Sequence, residues 1–360
     1  MNRTPDARDG LLPVDSAVQH KHPLHHAPRP LPLFLELLRE VSERDPDLAH
    51  DALAGLRAYA SAPRPPVAPA KPIIAQVGGA TLHDHGGDGP PAMLIPSLIN
   101  PPRILDLDKD VSLAAAVSSM GRRALLLDWG SAGARANLSV AEHIEQLLLP
   151  LLGAIGEPAA LIGYCLGGTM ALAAASRAPC ERIVTLAAPW HFSRYPESSR
   201  SALLDMWAHS KGPAQALQAL PMEVLQAAFW SLEPERTVRK FAGFARVDPA
   251  SGKAARFIEL EDWANEGEPL PYPAAAELIE AMFGRDLPGR GEWIVGGAAV
   301  TADPGVPAFH LLAARDRIAP AATAPPGPSA EIAAGHVGMV VGSARTRLHD
   351  LLKDFLAPCR

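Results

Sequence analysis

The sequence Ile162-Gly163-Tyr164-Cys165-Leu166-Gly167-Gly168-Thr169 is the strongest indication of the fold. Apolar residues 159–162 predict a buried strand before the turn, and the small residues 166–175 predict a helix after it. A strand that enters a helix through glycine, nucleophile and glycine is typical of a nucleophile elbow, in which Gly163 and Gly167 let the two elements approach closely. Cys165 holds the nucleophile position. A thiol there favours acyl transfer through a thioester over simple ester hydrolysis.

Two later residues complete a catalytic set. Asp316 follows a predicted strand at 309–313, and His336 lies in a glycine-flanked loop, so the chain order is nucleophile, acid, histidine, as the elbow requires. We predict that His336 takes the thiol proton and that Asp316 orients the imidazole and stabilises its charged form. The start of the following helix also favours a thiolate at Cys165.

Two backbone N–H groups are expected to hold the oxyanion that forms during acyl transfer. The first is that of Leu166, directly after the nucleophile. The second is expected from the loop at 96–99, which follows the predicted strand 92–95, and we assign it to Leu98.

Each member of this set also has a purely structural interpretation. A lone cysteine is usually a small buried apolar residue, which is our interpretation of Cys180 and Cys359. Asp316 alone would fit a turn, and His336 alone would fit an ordinary loop. The ordered combination with Cys165 favours catalysis over these alternatives.

Two other groups of polar residues are given structural roles. Asp128 follows a strand and is a rival for the triad acid, but it precedes the nucleophile, so we predict loop hydrogen bonds near the site. The cluster His83-Asp84-His85 lacks a further ligand at metal-binding spacing, so we predict a solvated turn and no metal site.

Strands and helices alternate through most of the chain. We predict a hairpin at 73–77 and 80–83, buried strands at 92–95, 124–127, 159–162, 183–187 and 309–313, and helices at 108–120, 139–153, 166–177 and 344–356. Such alternation indicates an α/β protein with a mostly parallel central sheet and helices on both faces.

The domain boundaries follow from shifts in composition. We predict a disordered tail at 1–30, an N-terminal helical segment with a Pro/Ala linker at 31–72, a core at 73–190 and 300–360, and an inserted helical cap at 191–299. Asp45-Pro46 favours two N-terminal helices over one. The aromatic residues of the cap are expected to form its own core, or in part to line a channel for an acyl chain.

Composition limits the class of protein. A net charge of −6 provides no basic field for nucleic acid. Three cysteines are too few, and odd in number, for a secreted disulfide framework. The N-terminus lacks a signal-peptide core, and no uncharged apolar run reaches the roughly 20 residues of a membrane span. We therefore expect a cytoplasmic enzyme without a membrane span or a nucleic-acid partner.

Together the motifs resemble the polyhydroxyalkanoate (poly-3-hydroxybutyrate) synthase family and related α/β-hydrolase-fold proteins. The resemblance runs from about residue 92 to 356. The matching stretches are Ile95-Pro96-Ser97-Leu98-Ile99-Asn100, Ile104-Leu105-Asp106-Leu107, Leu127-Asp128-Trp129-Gly130, the elbow, Ala188-Pro189-Trp190, Asp262-Trp263-Ala264-Asn265, Asp316-Arg317-Ile318-Ala319-Pro320 and Gly335-His336-Val337-Gly338-Met339-Val340-Val341-Gly342. Arg317 departs from the pattern, because the family often has histidine there.

The resemblance implies a function. Cys165 would take a 3-hydroxyacyl group from its coenzyme A thioester, with His336 as base and Asp316 as orienting acid, and a hydroxyl would then extend a polyester. Coenzyme A enters as substrate, and no resident cofactor is implied. A homodimer and an accessory synthase subunit are both open as partners, and the surface of polyester granules is open as a location.

Two other functions remain open. The same triad would serve a thiol-dependent hydrolase, either an intracellular polyhydroxyalkanoate depolymerase or an acyl-CoA thioesterase, if water reaches the acyl-enzyme. A non-enzymatic granule-binding protein is the second alternative, on the basis of the amphipathic segment 32–59.

Overall fold

A computed structural model describes residues 26–64 and 69–357. Most of the predicted disordered tail, and Cys359, lie outside the described residues. The last residues of that predicted tail, 26–30, are described. Arg29 in this stretch donates its backbone N–H to Asn265 Oδ1 at 3.0 Å.

An eight-stranded sheet forms the centre of the molecule. Its strands are β1 Ile73–Val77, β2 Ala80–Asp84, β3 Pro91–Ile95, β4 Arg123–Asp128, β5 Ala160–Tyr164, β6 Arg182–Leu186, β7 Ala308–Ala313 and β8 Ser329–Ile332. Their order is β1-β2-β4-β3-β5-β6-β7-β8. β2 is antiparallel to both neighbours, and the other pairs are parallel. With the elbow after β5, this is the α/β-hydrolase fold, as predicted.

Helices cover both faces of the sheet. They are α3 Leu113–Ser119, α4 Val140–His143, a π-helical segment Ile144–Leu148, α5 Leu149–Ile155, α6 Leu166–Ala175, α13 Gly338–Val341 and α14 Arg345–Leu356, preceded in the chain by α1 Leu31–Ser42 and α2 Pro46–Ser61. β3, β5 and β6 are buried along their whole length, and their sequences are apolar except for Arg182 and Thr185 of β6.

The sequence-based elements are confirmed with two corrections. The predicted helix 108–120 begins only at Leu113, because Asp106–Asp108 and Val111–Ser112 pair as short strands and Ser112 caps the helix. Strand β8 was not predicted. It has four residues, only one of them fully buried, so its apolar pattern is too short to detect.

A largely helical insertion separates β6 from β7. It contains α7 Glu197–Leu217, α8 Met222–Ser231, α9 Pro234–Phe244, α10 Gly252–Asn265, α11 Tyr272–Ala276, a π-helical segment Glu277–Gly284 and α12 Leu287–Arg290. The short strands Ala219–Leu220 and Leu270–Pro271 pair within it, as do Ile294–Val295 and Ala298–Ala299. Short 3₁₀ helices lie at Pro102–Leu105, Ala132–Arg135, Phe192–Arg194 and Ala321–Thr323.

The N-terminal helices share a hydrophobic core with this insertion. Phe34 of α1 and Tyr59 of α2 pack edge-to-face on Phe241 of α9, with ring centroids 5.0 and 5.7 Å apart. Arg64 and Tyr59 also donate hydrogen bonds to the carboxylate of Asp262 on α10 at 2.6–2.9 Å. The N-terminal helices and the insertion are therefore packed as one unit.

The aromatic residues of the insertion do not form one core of its own, and that expectation is wrong. Phe241 and Trp230 belong to the cluster shared with α1 and α2. Trp207 joins the cluster on one face of the sheet, and Trp263 joins the cluster on the other. These rings therefore lie in three separate hydrophobic clusters. Among the described helices, none is long and apolar enough to cross a bilayer.

Candidate active site

The turn between β5 and α6 places Cys165 in a strained conformation. Its backbone has φ +56° and ψ −130°, a region that non-glycine residues rarely adopt. Glycines make the turn feasible. A Cβ on Gly163 would lie 2.4 Å from Gly168 Cα, and one on Gly167 would lie 2.2 Å from Ile95 O. The thiol remains partly exposed at this bend.

His336 and Asp316 meet beside the elbow. Asp316 follows β7 and His336 follows β8, and parallel neighbours deliver their next residues to the same edge of the sheet. His336 Nδ1 donates to Asp316 Oδ2 at 2.6 Å. The other carboxylate oxygen, Oδ1, accepts the backbone N–H groups of Ile318 and Ala319 at 2.8 and 2.9 Å. The carboxylate is thereby fixed, and it fixes the tautomer of the ring.

The buried His336 ring favours its protonated form. Burial opposes the charge, but attraction to Cys165, the hydrogen bond to Asp316 and hydrogen bonding with Cys165 outweigh it and raise the pKa of His336 from 6.5 to about 10. Because the pKa of His336 depends on both Cys165 and Asp316, the three side chains lie close enough to interact electrostatically. The arrangement can move a proton between sulfur and imidazole while the carboxylate stays charged.

Two tyrosines that the sequence analysis missed also adjoin the site. The Tyr164 ring lies 5.0 Å from that of His336, and its hydroxyl donates to His336 O at 3.4 Å. Tyr195 donates to Ile318 O at 2.8 Å. Burial raises the pKa of both hydroxyls, with smaller contributions from Cys165 and Asp316. Tyr164 belongs to the elbow motif, so the sequence could have identified it as a site residue, whereas no motif marks Tyr195.

The predicted oxyanion donors lie in the expected elements. Leu166 is the first residue of α6, and N–H groups in a first helical turn have no intrahelical acceptor. Leu98 lies in the loop after β3, and the last residue of β3, Ile95, pairs with Gly163. The backbone of that loop touches the elbow, since a Cβ on Gly167 would lie 2.6 Å from Pro96 O. The donor roles of Leu166 and Leu98 stay predictions.

The remaining candidate residues have structural partners. Asp128 Oδ1 accepts the Gly130 N–H at 2.9 Å, as expected of a loop residue. Burial raises the pKa of the Cys180 thiol to about 11, which suits its apolar interpretation. Arg317 is exposed and lies 3.3 Å from Glu233 at the start of α9.

The cluster His83-Asp84-His85 is not a solvated turn. His83 and Asp84 belong to β2, Asp84 forms a 2.7 Å ion pair with Arg123, and His85 Nδ1 lies 3.2 Å from Asp106. Across the described ranges, no three His, Cys, Asp or Glu side chains are grouped as a metal site.

A cavity of about 630 Å³ lies away from these residues. It is lined by Ala308 at the start of β7, together with Phe309, Pro326 and Phe355. Cys165 and Asp316 lie at the opposite edge of the sheet, beyond the ends of β5 and β7. This cavity is therefore separate from the candidate active site.

Comparison with known proteins points to one group of enzymes by sequence. No family model matches the chain. The poly(3-hydroxyalkanoate) polymerase subunit PhaC of Haloarcula marismortui is 22% identical over 294 residues, covering 75% of this chain and 61% of that protein. The subunit of Haloferax mediterranei is 23% identical, covering 70% and 55%. That of Allochromatium vinosum is 24% identical, covering 64% and 67%. The chain thus spans less than two thirds of the first two relatives.

Solved structures of hydrolase-fold enzymes also align with the chain. A meta-cleavage product hydrolase from Pseudomonas fluorescens IP01 gives a TM-score of 0.47 at 15% identity, covering 80% of this chain and 97% of that one. The enol-lactonase from Burkholderia xenovorans LB400 gives 0.39 at 17% identity, covering 80% and 100%. In sequence the chain is similar to the PhaC polymerase subunits, and in strand order it is an α/β-hydrolase-fold protein.

Proposed function

We propose that the chain is an acyltransferase of the polyhydroxyalkanoate synthase type, which takes a 3-hydroxyacyl group from coenzyme A and adds it to a polyester. The observation that carries the proposal is a partly exposed thiol, Cys165, beside a buried His336 whose ring donates to Asp316. Similarity to PhaC subunits supports the acyl donor and the acceptor.

In the first half-reaction Cys165 becomes acylated. His336 Nε2 already holds the proton taken from the thiol, and the Cys165 sulfur attacks the thioester carbonyl carbon as a thiolate to form a tetrahedral oxyanion. Collapse of this intermediate breaks the bond to the coenzyme A sulfur, and His336 returns the proton to that leaving thiolate. Asp316 keeps the imidazolium oriented throughout.

In the second half-reaction a hydroxyl takes the acyl group. His336 accepts the hydroxyl proton while the oxygen attacks the acyl-cysteine carbonyl, and the proton then returns to the Cys165 sulfur as the thioester breaks. A thioester carries more acyl-transfer potential than an ester, so delivery to a hydroxyl is favourable. No resident cofactor enters either step, and coenzyme A leaves as product.

The site fits one competing function. Water in place of the hydroxyl would make the same residues a thiol-dependent depolymerase or thioesterase, and the α/β-hydrolase topology favours this as the alternative. Association with granules, a homodimer and an accessory subunit belong to the proposal, as does a cytoplasmic location. A non-catalytic granule-binding role is the remaining outcome of the test.

The test is turnover of 3-hydroxybutyryl-CoA by the purified full chain. Free coenzyme A and the fate of the acyl group are followed by chromatography. We expect coenzyme A release together with polymer. Release of coenzyme A with free 3-hydroxybutyrate as the only acyl product would establish the hydrolase. If the folded protein turns over neither the thioester nor a polyester, the non-catalytic granule-binding role would remain.

Two single-cysteine variants locate the nucleophile. Cys165→Ala is expected to abolish turnover, because no other described thiol adjoins His336. Cys180→Ala removes a thiol that is buried in the core and is the matched control, with activity per folded molecule retained. Unchanged turnover in Cys165→Ala would contradict the triad.

A further inference from the structure

Arg135 is buried, and among the described residues Glu268 and Asp128 attract its charge without forming an ion pair with it. Its residue is 4% exposed, at the end of the 3₁₀ helix Ala132–Arg135. No Asp or Glu oxygen of the described chain lies within ion-pair distance of its guanidinium. The guanidinium donates instead to Leu98 O at 3.3 Å, to Gly130 O at 3.4 Å and to a nitrogen of His143 at 3.2 Å. Burying a charge costs folding free energy when its hydrogen-bond acceptors are all neutral. Stability alone therefore does not explain why Arg135 makes these contacts.

His143 also accepts a hydrogen bond from Arg135. Burial lowers the pKa of His143 to about 4, and the charge of Arg135 also lowers it, so the ring is neutral at physiological pH. The Nδ1–H group donates to Ser139 O at 2.6 Å, which leaves Nε2 as the acceptor for Arg135. One tautomer therefore satisfies both contacts, and the guanidinium is held in a single orientation.

The loop after β3 receives two side-chain donors from the segment after β4. Trp129 Nε1 donates to Pro96 O at 3.1 Å, and Arg135 donates to Leu98 O two residues later. The Trp129 ring also packs edge-to-face on His143, with centroids 5.8 Å apart. Since C=O and N–H are antiparallel across a trans peptide, the contact to Pro96 O fixes the direction of the Ser97 N–H, and the contact to Leu98 O fixes that of the Ile99 N–H. The Leu98 N–H, which is the predicted donor, lies between these two fixed peptides.

We propose that Arg135 is a positioning residue for the oxyanion site, holding the 96–99 loop so that one of its backbone N–H groups meets the acyl oxygen beside Cys165. The proposal rests on acylation of Cys165, which is the first half of the proposed function, and is independent of the final acceptor. A donor displaced by about 1 Å costs roughly 100-fold in rate. Trp129 supports the same loop through Pro96.

The experiment compares two reactions of the same thiol. Acylation of Cys165 by p-nitrophenyl butyrate builds an oxyanion, whereas alkylation by iodoacetamide does not. In Arg135→Met we expect acylation, followed as the p-nitrophenol burst, to fall roughly 10- to 100-fold while alkylation stays within about twofold of the unsubstituted chain. Trp129→Phe keeps an aromatic ring but removes the indole N–H that donates to Pro96 O. It should also slow acylation.

Arg122→Met is the matched control. Arg122 is also fully buried and donates to a backbone carbonyl, Leu356 O at 2.9 Å, but it lies at the opposite end of β4. It should lose stability without losing acylation per folded molecule. The proposal is overturned if acylation and alkylation fall together in both Arg135→Met and Trp129→Phe, or if Arg122→Met slows acylation equally.

The substrate tests remain distinguishable. An unsubstituted chain that is acylated by the ester but makes no polymer from 3-hydroxybutyryl-CoA would contradict the synthase function and leave the role of Arg135 to be decided by its variants. An unsubstituted chain that is alkylated but never acylated would overturn both.

Discussion

Cys165 is held in a strained backbone conformation. Non-glycine residues held at positive φ cost on the order of 1–3 kcal/mol and persist only where the surroundings enforce them. Here the Cys165 N–H donates to Leu186 O at 2.9 Å, and the Cys165 carbonyl accepts the Gly168 N–H at 2.9 Å. Both backbone groups are therefore held, and the side chain is presented at the edge of the sheet.

Gly163→Ala should be strongly destabilising. The added Cβ would lie within about 2.5 Å of the Gly167 and Gly168 backbone, which cannot move without breaking the elbow. We expect a loss of about 1–3 kcal/mol or more in the free energy of unfolding, measured with urea. Gly153→Ala is the control. That glycine lies in α5 with open space around it, and alanine there should gain about 0.5–1 kcal/mol. Equal effects at the two sites would contradict this account of the elbow.

The protonation of His336 should depend on Cys165. Attraction to the cysteine is among the causes that raise the pKa of His336 to about 10, so Cys165→Ser should lower it. Histidine NMR titration of the two proteins measures the change. Cys165→Ala should lower the pKa in the same way, and a pKa that stays near 10 in both variants would mean that Asp316 alone sustains the charge.

The same shift has a consequence for stability. Because the folded pKa lies above the unfolded value of 6.5, the contribution of His336 is complete below about pH 6.5 and is lost as pH rises through about 10. The Cys165→Ser variant should lose it at lower pH.

At the scale of elements, the sequence predicted the strands and helices that have a clear pattern of apolar residues. β3, β5 and β6 are fully buried, and their apolar runs identified them. The approach of Asp316 and His336 to the elbow was predictable because the order of these residues along the chain is a property of the fold. β8 was missed because two of its four side chains are exposed and polar, Ser329 and Glu331. Arg135 was missed because an arginine is normally a surface residue, and only the three-dimensional contacts show that this one is buried.

The contact between α1 and the inserted helices should be measurable at one residue. Phe34 is fully buried against Trp230 and Phe241, whereas its neighbour Leu35 is 47% exposed. Phe34→Ala should cost about 3–5 kcal/mol in unfolding free energy. Leu35→Ala should change it by no more than about 0.5 kcal/mol. A small effect of Phe34→Ala would mean that α1 is not a stabilising part of the fold.

At the scale of the molecule, the described residues pack into three separate hydrophobic clusters. One cluster lies on each face of the sheet, and the third joins α1 and α2 to α9 and α10. Asp262 on α10 binds the N-terminal segment through Tyr59 and Arg64, while the adjacent Trp263 donates to Pro101 O at 2.9 Å, just beyond the 96–99 loop. Through α10 the third cluster is thus connected to the edge of the sheet that carries Cys165.

This division predicts the pattern of hydrogen exchange. Helices α1, α2, α9 and α10 share a core that is separate from the sheet clusters, so their amides should open together, at a lower free energy than those of β3 and β5. Phe241→Ala, which removes the ring at the centre of that core, should speed exchange across all four helices and leave β3 and β5 unchanged. Mass spectrometry of deuterium uptake resolves the segments. Uniform acceleration over helices and strands alike would show one cooperative unit, and the N-terminal helices would then have to be treated as part of the sheet's own core.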